Sequence, residues 1–249
     1  MKRPCTIAIP CYNEASRFPL ESFLQFVAAN PSVRFLLVND GSEDNTLGVL
    51  RQASTGREDQ VGVLDLTVNG GKGEAVRRGI LAALEQEGCL YAGFWDADMA
   101  TPLEQIADLM GTLAAQPGLA MIFGARVKLL GRHIDRRPLR HYLGRVFATV
   151  ASLALRLPIY DTQCGAKIFR VTSETRELFA EPFSSHWVFD VEIIARVIRQ
   201  RRYDMASVEA SIYEFPLPVW RDVAGSRLRP QDFFRALLDI LNIYRRYHQ

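Results

Sequence analysis

The stretch Leu90-Tyr91-Ala92-Gly93-Phe94-Trp95-Asp96-Ala97-Asp98 joins an apolar run to two carboxylates spaced two residues apart. A short apolar run of this kind reads as a buried strand. Strand alternation places residues i and i+2 on the same side. Two ionised acids on one side repel each other unless something positive lies between them. A hard divalent cation, Mg²⁺ or Mn²⁺, does this well, because it takes oxygen ligands and shares them with phosphates. Asp96 and Asp98 therefore read either as metal ligands of a nucleotide site or as a solvated turn whose acids cap the next helix.

Outward from this strand, apolar strands alternate with helical patterns. Strands are expected at Cys5–Pro10, Phe35–Asn39, Val61–Thr67, Leu90–Trp95 and Ala120–Ala125, and helices at Leu20–Asn30, Asp44–Ser54, Gly73–Glu87 and Pro102–Ala115. This rhythm predicts an α/β fold whose mostly parallel sheet is covered on both faces. Ligands of such sheets bind beyond the carboxyl ends of the strands. The polar strings Pro10-Cys11-Tyr12-Asn13-Glu14, Asn39-Asp40-Gly41-Ser42, Asn69-Gly70-Gly71-Lys72-Gly73 and Asp96-Ala97-Asp98 all fall there. Past residue 126 the rhythm breaks. A long helix over Leu139–Leu157 is expected, then a turn over 161–165, a short strand Ala166–Arg170, a helix Phe189–Arg199 and a last helix Gln231–Tyr247.

Each string admits two chemistries. Asp40 can accept hydrogen bonds from the N–H groups of a uracil or guanine base, or cap the helix beginning near Asp44. In Asn69-Gly70-Gly71-Lys72-Gly73 the glycines let backbone amides approach an anion, and Lys72 adds a point charge beside a helix N-terminus. The Walker spacing is missing, and a plain glycine-rich turn is the other reading. Asp190 and Glu192 sit near a helix start, where acids also complement the helix dipole.

Composition bounds the rest. The 249 residues are 48% hydrophobic and 23% charged, which suits one large domain over 1–249. Net charge is +2, so no bulk nucleic-acid affinity is implied. Between Arg126 and Arg145, however, seven Arg or Lys residues face one acid, Asp135, a patch suited to phosphates or an anionic membrane surface as well as to plain solvation. The four cysteines, Cys5, Cys11, Cys89 and Cys164, lack metal-ligand spacing and fit a reducing, cytoplasmic setting without a signal peptide. No apolar stretch approaches 18 residues; the longest candidate, Val146 to Leu155, lies between Arg145 and Arg156, so peripheral rather than spanning membrane contact is expected.

Taken in order, these strings, with Asp161-Thr162-Gln163-Cys164-Gly165-Ala166-Lys167 and Phe189-Asp190-Val191-Glu192, resemble inverting glycosyltransferase family 2, which has the GT-A fold, over nearly the whole chain. Within it the chain is most similar to the polyprenyl-phosphate branch, and the Asp-Thr-Gln-Cys-Gly and Trp-x-Phe-Asp-x-Glu strings, with Lys167, lean toward dolichyl-phosphate glucosyltransferases. Met99 departs from that pattern, which carries a small residue there. The resemblance implies a nucleotide-sugar half over 1–125 and an acceptor-side half over 126–249. Pro10, Tyr12, Glu14 and Asp40 would line the nucleotide pocket, with Asp40 on the base and Lys72 and Gly73 near the base and ribose. Asp96 and Ala97 would approach the ribose and diphosphate, Asp96 and Asp98 would bind Mg²⁺ or Mn²⁺, and Arg126 would steady a phosphate. Asp161, Gln163 and Gly165 would frame the acceptor and donor sugar, Asp190 would stand where the family places its general base, and Ser226 and Arg227 would lie on a loop closing over the diphosphate.

The implied reaction is displacement at an anomeric carbon, with the metal neutralising the departing diphosphate. UDP-glucose is the favoured donor and a polyprenyl phosphate the expected acceptor. GDP-mannose, and a soluble or glycan acceptor, are the alternatives. The Leu139–Leu157 helix, through Arg137, Arg140 and Arg145, and the last helix, through Phe233, Phe234, Leu237, Leu238, Ile240, Leu241 and Tyr244, would lie in a membrane interface or pack on the core. A nucleotidyltransferase is disfavoured, because Pro10-Cys11-Tyr12-Asn13-Glu14 stands where its glycine-rich activating loop belongs. A binding module without activity is disfavoured by the retained Asp40, Asp96, Asp98 and Asp190.

Overall fold

In the computed structural model the first four strands run parallel: β1 (Cys5–Cys11), β2 (Val33–Asp40), β3 (Val61–Leu66) and β4 (Tyr91–Trp95). The structure describes residues 3–135, 138–223 and 230–247, with side chains for 3–135, 142–223 and 235–247. Alternation along these strands supplies two cores at once. Cys5, Ile7, Ile9, Val33, Phe35 and Leu37 face one core, while Ala8 and Val38 face the other. The first core is closed by α1 (Leu20–Ala29), α2 (Thr46–Ser54) and α4 (Gln105–Ala115). The second is closed by α3 (Lys72–Leu84), which approaches so tightly that a Cβ on Gly79 would lie 2.7 Å from the Ala8 side chain.

After β5 (Met121–Ala125) come β6 (His133–Asp135), α5 (Pro138–Leu155), β7 (Ala166–Arg170), α6 (Ser173–Ala180), α7 (Phe189–Gln200), α8 (Met205–Ser211), β8 (Ile212–Pro216), β9 (Val219–Arg221) and α9 (Pro230–Tyr247). The described strands form a seven-stranded sheet in the order β3-β2-β1-β4-β7-β5-β8 and a β6–β9 ribbon. Strand order reverses between β1 and β4, which is where an α/β sheet opens a crevice. β7 alone runs against its neighbours, pairing antiparallel to β4 and β5. Its N-terminal end therefore meets the carboxyl ends of the others.

The expected α/β sheet is present, with helix and strand ends moved by a few residues, the ordinary uncertainty of frayed termini. Four differences matter. β4 stops at Trp95, so strand alternation does not extend to Asp98; the two carboxylates lie in the turn that follows. α2 begins at Thr46, whose N–H donates to Asp44, so Asp40 is not its cap. Helices α6 and α8 and strands β6, β8 and β9 carry too short a periodicity to be predicted. Ser226, Arg227 and Arg137 lie outside the described residues, as do the side chains of Arg140, Phe233 and Phe234.

The C-terminal helix is locked by a buried polar network. Tyr247 donates to Glu192 Oε1 at 2.8 Å, Arg196 donates to the same oxygen at 2.9 Å and to the Tyr247 hydroxyl at 3.1 Å, and Ser184 donates to Glu192 Oε2 through both its N–H and its hydroxyl. Among the described residues no helix is long and apolar enough to cross a membrane. α5 and α9 nevertheless expose Tyr142, Val146, Leu153, Leu238 and Leu241.

Burial opposes ionisation of Glu192, but its bonds from Ser184, Tyr247 and Arg196 outweigh that and hold the carboxyl below its ordinary range. A carboxylate lowered in this way contributes stability above its unfolded pKa, about 4.3, and loses it as pH falls through the folded value. Glu192→Gln should therefore cost about 1–3 kcal/mol at neutral pH, a deficit that shrinks below about pH 4. Urea unfolding across that range measures it, and a deficit independent of pH would remove Glu192 from the titration.

Candidate active site

The carboxyl ends of β1 and β2 are stapled to each other by side chains. Asn13, at φ +51°, accepts from Glu43 N–H at 2.8 Å, its own N–H donates to Ser42 at 3.1 Å, and Glu14 N–H donates to Thr46 at 2.7 Å. Pro10, Tyr12 and Glu14 are thereby held half-buried at the rim. Asp40 is buried, and its Oδ1 accepts from Gly70 N–H at 2.8 Å while its carbonyl accepts from Asn69. Gly41 permits this closeness: at φ +61°, a Cβ there would lie 2.4 Å from the Asn69 nitrogen. The β2 loop thus fixes the glycine-rich loop, which delivers Lys72 as the first residue of α3.

Lys72 reaches the acid pair. Its Nζ is 2.5 Å from Asp96 Oδ1. Loss of water would lower the Lys72 pKa, but Asp96, with Asp190 and Asp98 behind it, outweighs this and raises it. Burial likewise pushes Asp96 up, but Lys72, Arg126 and Lys167 pull it below the usual range. For Asp98 the positive charges of Lys72 and Arg17 are too weak to do the same. Burial, then the charge of Asp96, raises it, against the N–H of Ala100 that bonds its Oδ1 at 3.1 Å. Met99, between Asp98 and Ala100, sits at φ +50°, the left-handed region that only glycine enters without strain.

This donor set fits a hard cation. A carboxylate whose ionisation is opposed by burial and by a neighbouring carboxylate, as at Asp98, is what a divalent ion relieves. No group of three His, Cys, Asp or Glu residues surrounds such a position among the described residues. The remaining coordination sites would then be filled by phosphate oxygens and water, as Mg²⁺ prefers.

Because β7 is antiparallel, the segment before it enters the same edge. Asp96 N–H donates to the Gly165 carbonyl at 2.9 Å, and a Cβ on Gly165 would sit about 2.0 Å from the Asp96 carboxylate. Arg126, just past β5, grips Asp161 through Nε at 2.6 Å and Nη2 at 2.7 Å. Burial would lower the arginine's pKa, and the Asp161 charge more than reverses this. Glu214 on β8 in turn accepts from the N–H groups of Tyr160 and Asp161. The Thr162 hydroxyl and the Gln163 side-chain nitrogen are buried with no hydrogen-bond partner among the described residues.

Lys167 is wholly buried. Its ammonium donates to the carbonyls of Thr162 (2.9 Å) and Cys164 (2.6 Å), lies 2.7 Å from Asp190 Oδ1, and rests near the rings of Phe94 and Phe123. Asp190, on the first turn of α7, is raised by burial more than Lys167 and Lys72 lower it.

A cavity of about 510 Å³ gathers these groups. Lys72, Arg126, Asp161, Thr162, Gln163 and Asp190 line its polar side, with His186 and Trp187; Leu143, Phe147, Ala148 and Ala236, from α5 and α9, form an apolar wall. Asp96 joins through Lys72, whereas Pro10, Tyr12, Glu14 and Asp40 lie along the β1–β2 rim. Gly73 is taken up in packing: its N–H donates to the His186 carbonyl at 3.3 Å and a Cβ there would press on Phe189. Cys164 is buried, which pushes its thiol up to about 11, and it carries no chemistry. Sequence reading named Lys167 only within the resemblance, without a role at the site, and assigned none to Glu214, Thr162 and His186. For Lys167 the signal was available: a charge inside the apolar strand Ala166-Lys167-Ile168-Phe169 must find a partner.

Residues 6–175 match the family model described as glycosyl transferase family 2. The dolichyl-phosphate beta-glucosyltransferase of Drosophila melanogaster is 31% identical over 97% of this chain and 74% of its own length. The Saccharomyces cerevisiae enzyme of the same name is 28% identical over 90% of this chain and 68% of its own. Among solved structures, the glucosyl-3-phosphoglycerate synthase of Mycobacterium tuberculosis in complex with phosphoglyceric acid is similar with a TM-score of 0.68 at 18% identity, over 97% of this chain and 80% of that one. Its complex with Mn²⁺, UDP-glucose and phosphoglyceric acid gives 0.67 at 19% identity, with the same coverage. The GT-A fold is thus shared.

Two substitutions test this geometry. Gly165→Ala should displace the Asp96 carboxylate and lower kcat about 100-fold, the scale expected of ångström-level misplacement; wild-type turnover would show that Asp96 need not stay where it is. Lys167→Met should cost about 3–5 kcal/mol by stranding Asp190, and adding Asp190→Leu should recover much of that loss. Chemical denaturation of both variants reads it, and a single variant as stable as wild type would mean that the pair does not hold the fold.

Proposed function

Because the chain belongs to glycosyl transferase family 2 and is a glycosyltransferase, we propose that it moves glucose from UDP-glucose to a dolichyl or other polyprenyl phosphate, with inversion. The observation that carries the acceptor class is the two-sided cavity. One side is charged and polar, as a phosphate and a sugar require, and the other is apolar, as a lipid chain requires. The family and the named relatives support the same reading. The exposed apolar residues of α5 and α9 would rest peripherally on the cytoplasmic face of a membrane beside the cavity mouth.

On this reading Pro10, Tyr12 and Glu14 flank the nucleotide, and Asp40, whose Oδ1 is occupied by Gly70, offers Oδ2 to uracil N3–H. Lys72, Asp96 and Ala97 lie along the ribose and diphosphate. Asp96 and Asp98 would hold Mg²⁺ or Mn²⁺, which, when bound, acts as a Lewis acid on the departing diphosphate. Arg126, oriented by Asp161, steadies phosphate oxygens, and Gln163 with Thr162 faces the sugar hydroxyls. Ser226 and Arg227 would close the diphosphate side. The acceptor phosphate is already ionised near neutral pH, so its oxygen attacks the anomeric carbon directly. The new bond joins that oxygen to the carbon, and the electron pair of the broken bond leaves with UDP. Asp190, pinned by Lys167, then orients the acceptor and need not remove a proton; its base role would matter only for a hydroxyl acceptor.

Nucleoside diphosphate release from UDP-glucose and from GDP-mannose, each with Mn²⁺ or EDTA and with or without a short polyprenyl phosphate, tests this. UDP release that needs both metal and lipid is expected, reduced about 100-fold or more by Asp98→Asn. Lipid-dependent release from GDP-mannose alone would move the donor to mannose, and release indifferent to lipid would overturn the acceptor.

A further inference from the structure

Each lysine or arginine lining the cavity among the described residues is already matched to a carboxylate: Lys72 to Asp96 at 2.5 Å and Arg126 to Asp161 at 2.6 Å. Lys167, behind the wall, is matched to Asp190 at 2.7 Å. An entering phosphate monoester brings one to two negative charges and meets Asp190 as well. It needs a donor whose hydrogen bonds are not spent on a carboxylate.

His186 has that property. It lines the same cavity, and its Nδ1 lies 2.8 Å from the Gly70 carbonyl oxygen. A carbonyl only accepts, so Nδ1 carries a proton there. Nε2 has no hydrogen-bond partner among the described residues and can donate when the ring is protonated. The ring's position is determined from several sides. Gly73 N–H donates to the His186 carbonyl, and a Cβ on Gly71, at φ +82°, would lie 2.9 Å from Nδ1. Next to it, Ser185 accepts from the N–H groups of Trp187 (3.2 Å) and Val188 (2.9 Å) and donates to Asp239 at 2.6 Å. A histidine needed only for packing would not require a segment held this firmly around an exposed ring.

We propose that His186 is an acceptor-binding residue whose Nε2 hydrogen-bonds the phosphate monoester of the acceptor across the cavity from Arg126. This rests on the reading of the site as one that glycosylates a phosphate. Sequence and cavity favour a lipid monoester over a water-soluble one, and both present the same group to His186.

The test uses the whole chain and three forms of it: wild type, His186→Asn and His186→Arg. Asparagine keeps a side-chain N–H for the Gly70 carbonyl but removes Nε2; arginine restores a phosphate donor. Acceptor KM is measured with farnesyl phosphate and with glycerol phosphate, and UDP-glucose affinity by calorimetry. His186→Asn should raise the KM of the productive acceptor at least tenfold, with kcat changed far less and UDP-glucose affinity within twofold of wild type. His186→Arg should return that KM to within threefold. An unchanged acceptor KM in His186→Asn, or a parallel loss of UDP-glucose affinity, overturns the proposal. Wild-type turnover of glycerol phosphate but not farnesyl phosphate would fell the lipid reading alone, leaving His186 to be judged on the soluble monoester. Turnover of neither phosphate, with transfer to a sugar hydroxyl instead, would overturn both.

Discussion

An ammonium group sealed from solvent fixes the geometry of this site. Lys167 projects from the middle of a seven-stranded sheet, where an unpaired charge would cost several kcal/mol. Three oxygens and two aromatic rings offset that cost, and each partner comes from a different place. The carbonyls belong to the turn before β7, the carboxylate to the first turn of α7, and the rings to β4 and β5. Turn, helix and sheet therefore cannot shift relative to one another without stranding a charge. Asp190 owes its place in the cavity wall to this lysine, and the turn owes to it the position from which Asp161 meets Arg126.

The remaining charges follow the same rule of local matching. Lys72 answers Asp96 and Arg126 answers Asp161, so the resting cavity has little spare positive charge among its described residues. Asp98 is the exception: its environment disfavours its ionised form, and nothing on the described protein fully corrects that. A site arranged in this way is nearly neutral when empty and becomes selective for ligands that bring charge in compensating amounts. A nucleotide diphosphate arriving with a divalent cation is such a ligand.

The first half of the chain, through β5, was readable from sequence because its signals are local. Parallel strands of this kind are nearly continuous apolar runs, and polar residues such as Asp40, Lys72 and Asp96 stand at their carboxyl ends or in the loops that follow, where topology alone brings them to one edge. The acid pair was read as lying on one side of a strand, and that reason holds only in part: the strand stops at Trp95, and a turn rather than the pleat presents Asp96 and Asp98. The second half was less readable because the contacts that build it are long-range. That Lys167 meets Asp190, that Glu214 holds the backbone of Asp161, and that Gly165 leaves room for Asp96 depend on pairings across tens of residues. No periodicity records them. The short elements α6, α8, β6, β8 and β9 were missed for the related reason that fewer than about ten residues rarely show a period above noise.

The reversed strand has a consequence for how this molecule is made. β7 occupies the space between β4 and β5, both of which precede it in the chain by forty residues or more. During synthesis those two strands emerge with nothing between them. Each presents an unpaired backbone edge until Arg170 has left the ribosome. The block of β1 to β4 can nucleate early on its local βαβ contacts, but the sheet is knitted into one piece only when a later segment is threaded into its centre. Folding is thereby committed to a late, non-local step, and the edge that carries the candidate site is assembled in the same event that closes the sheet.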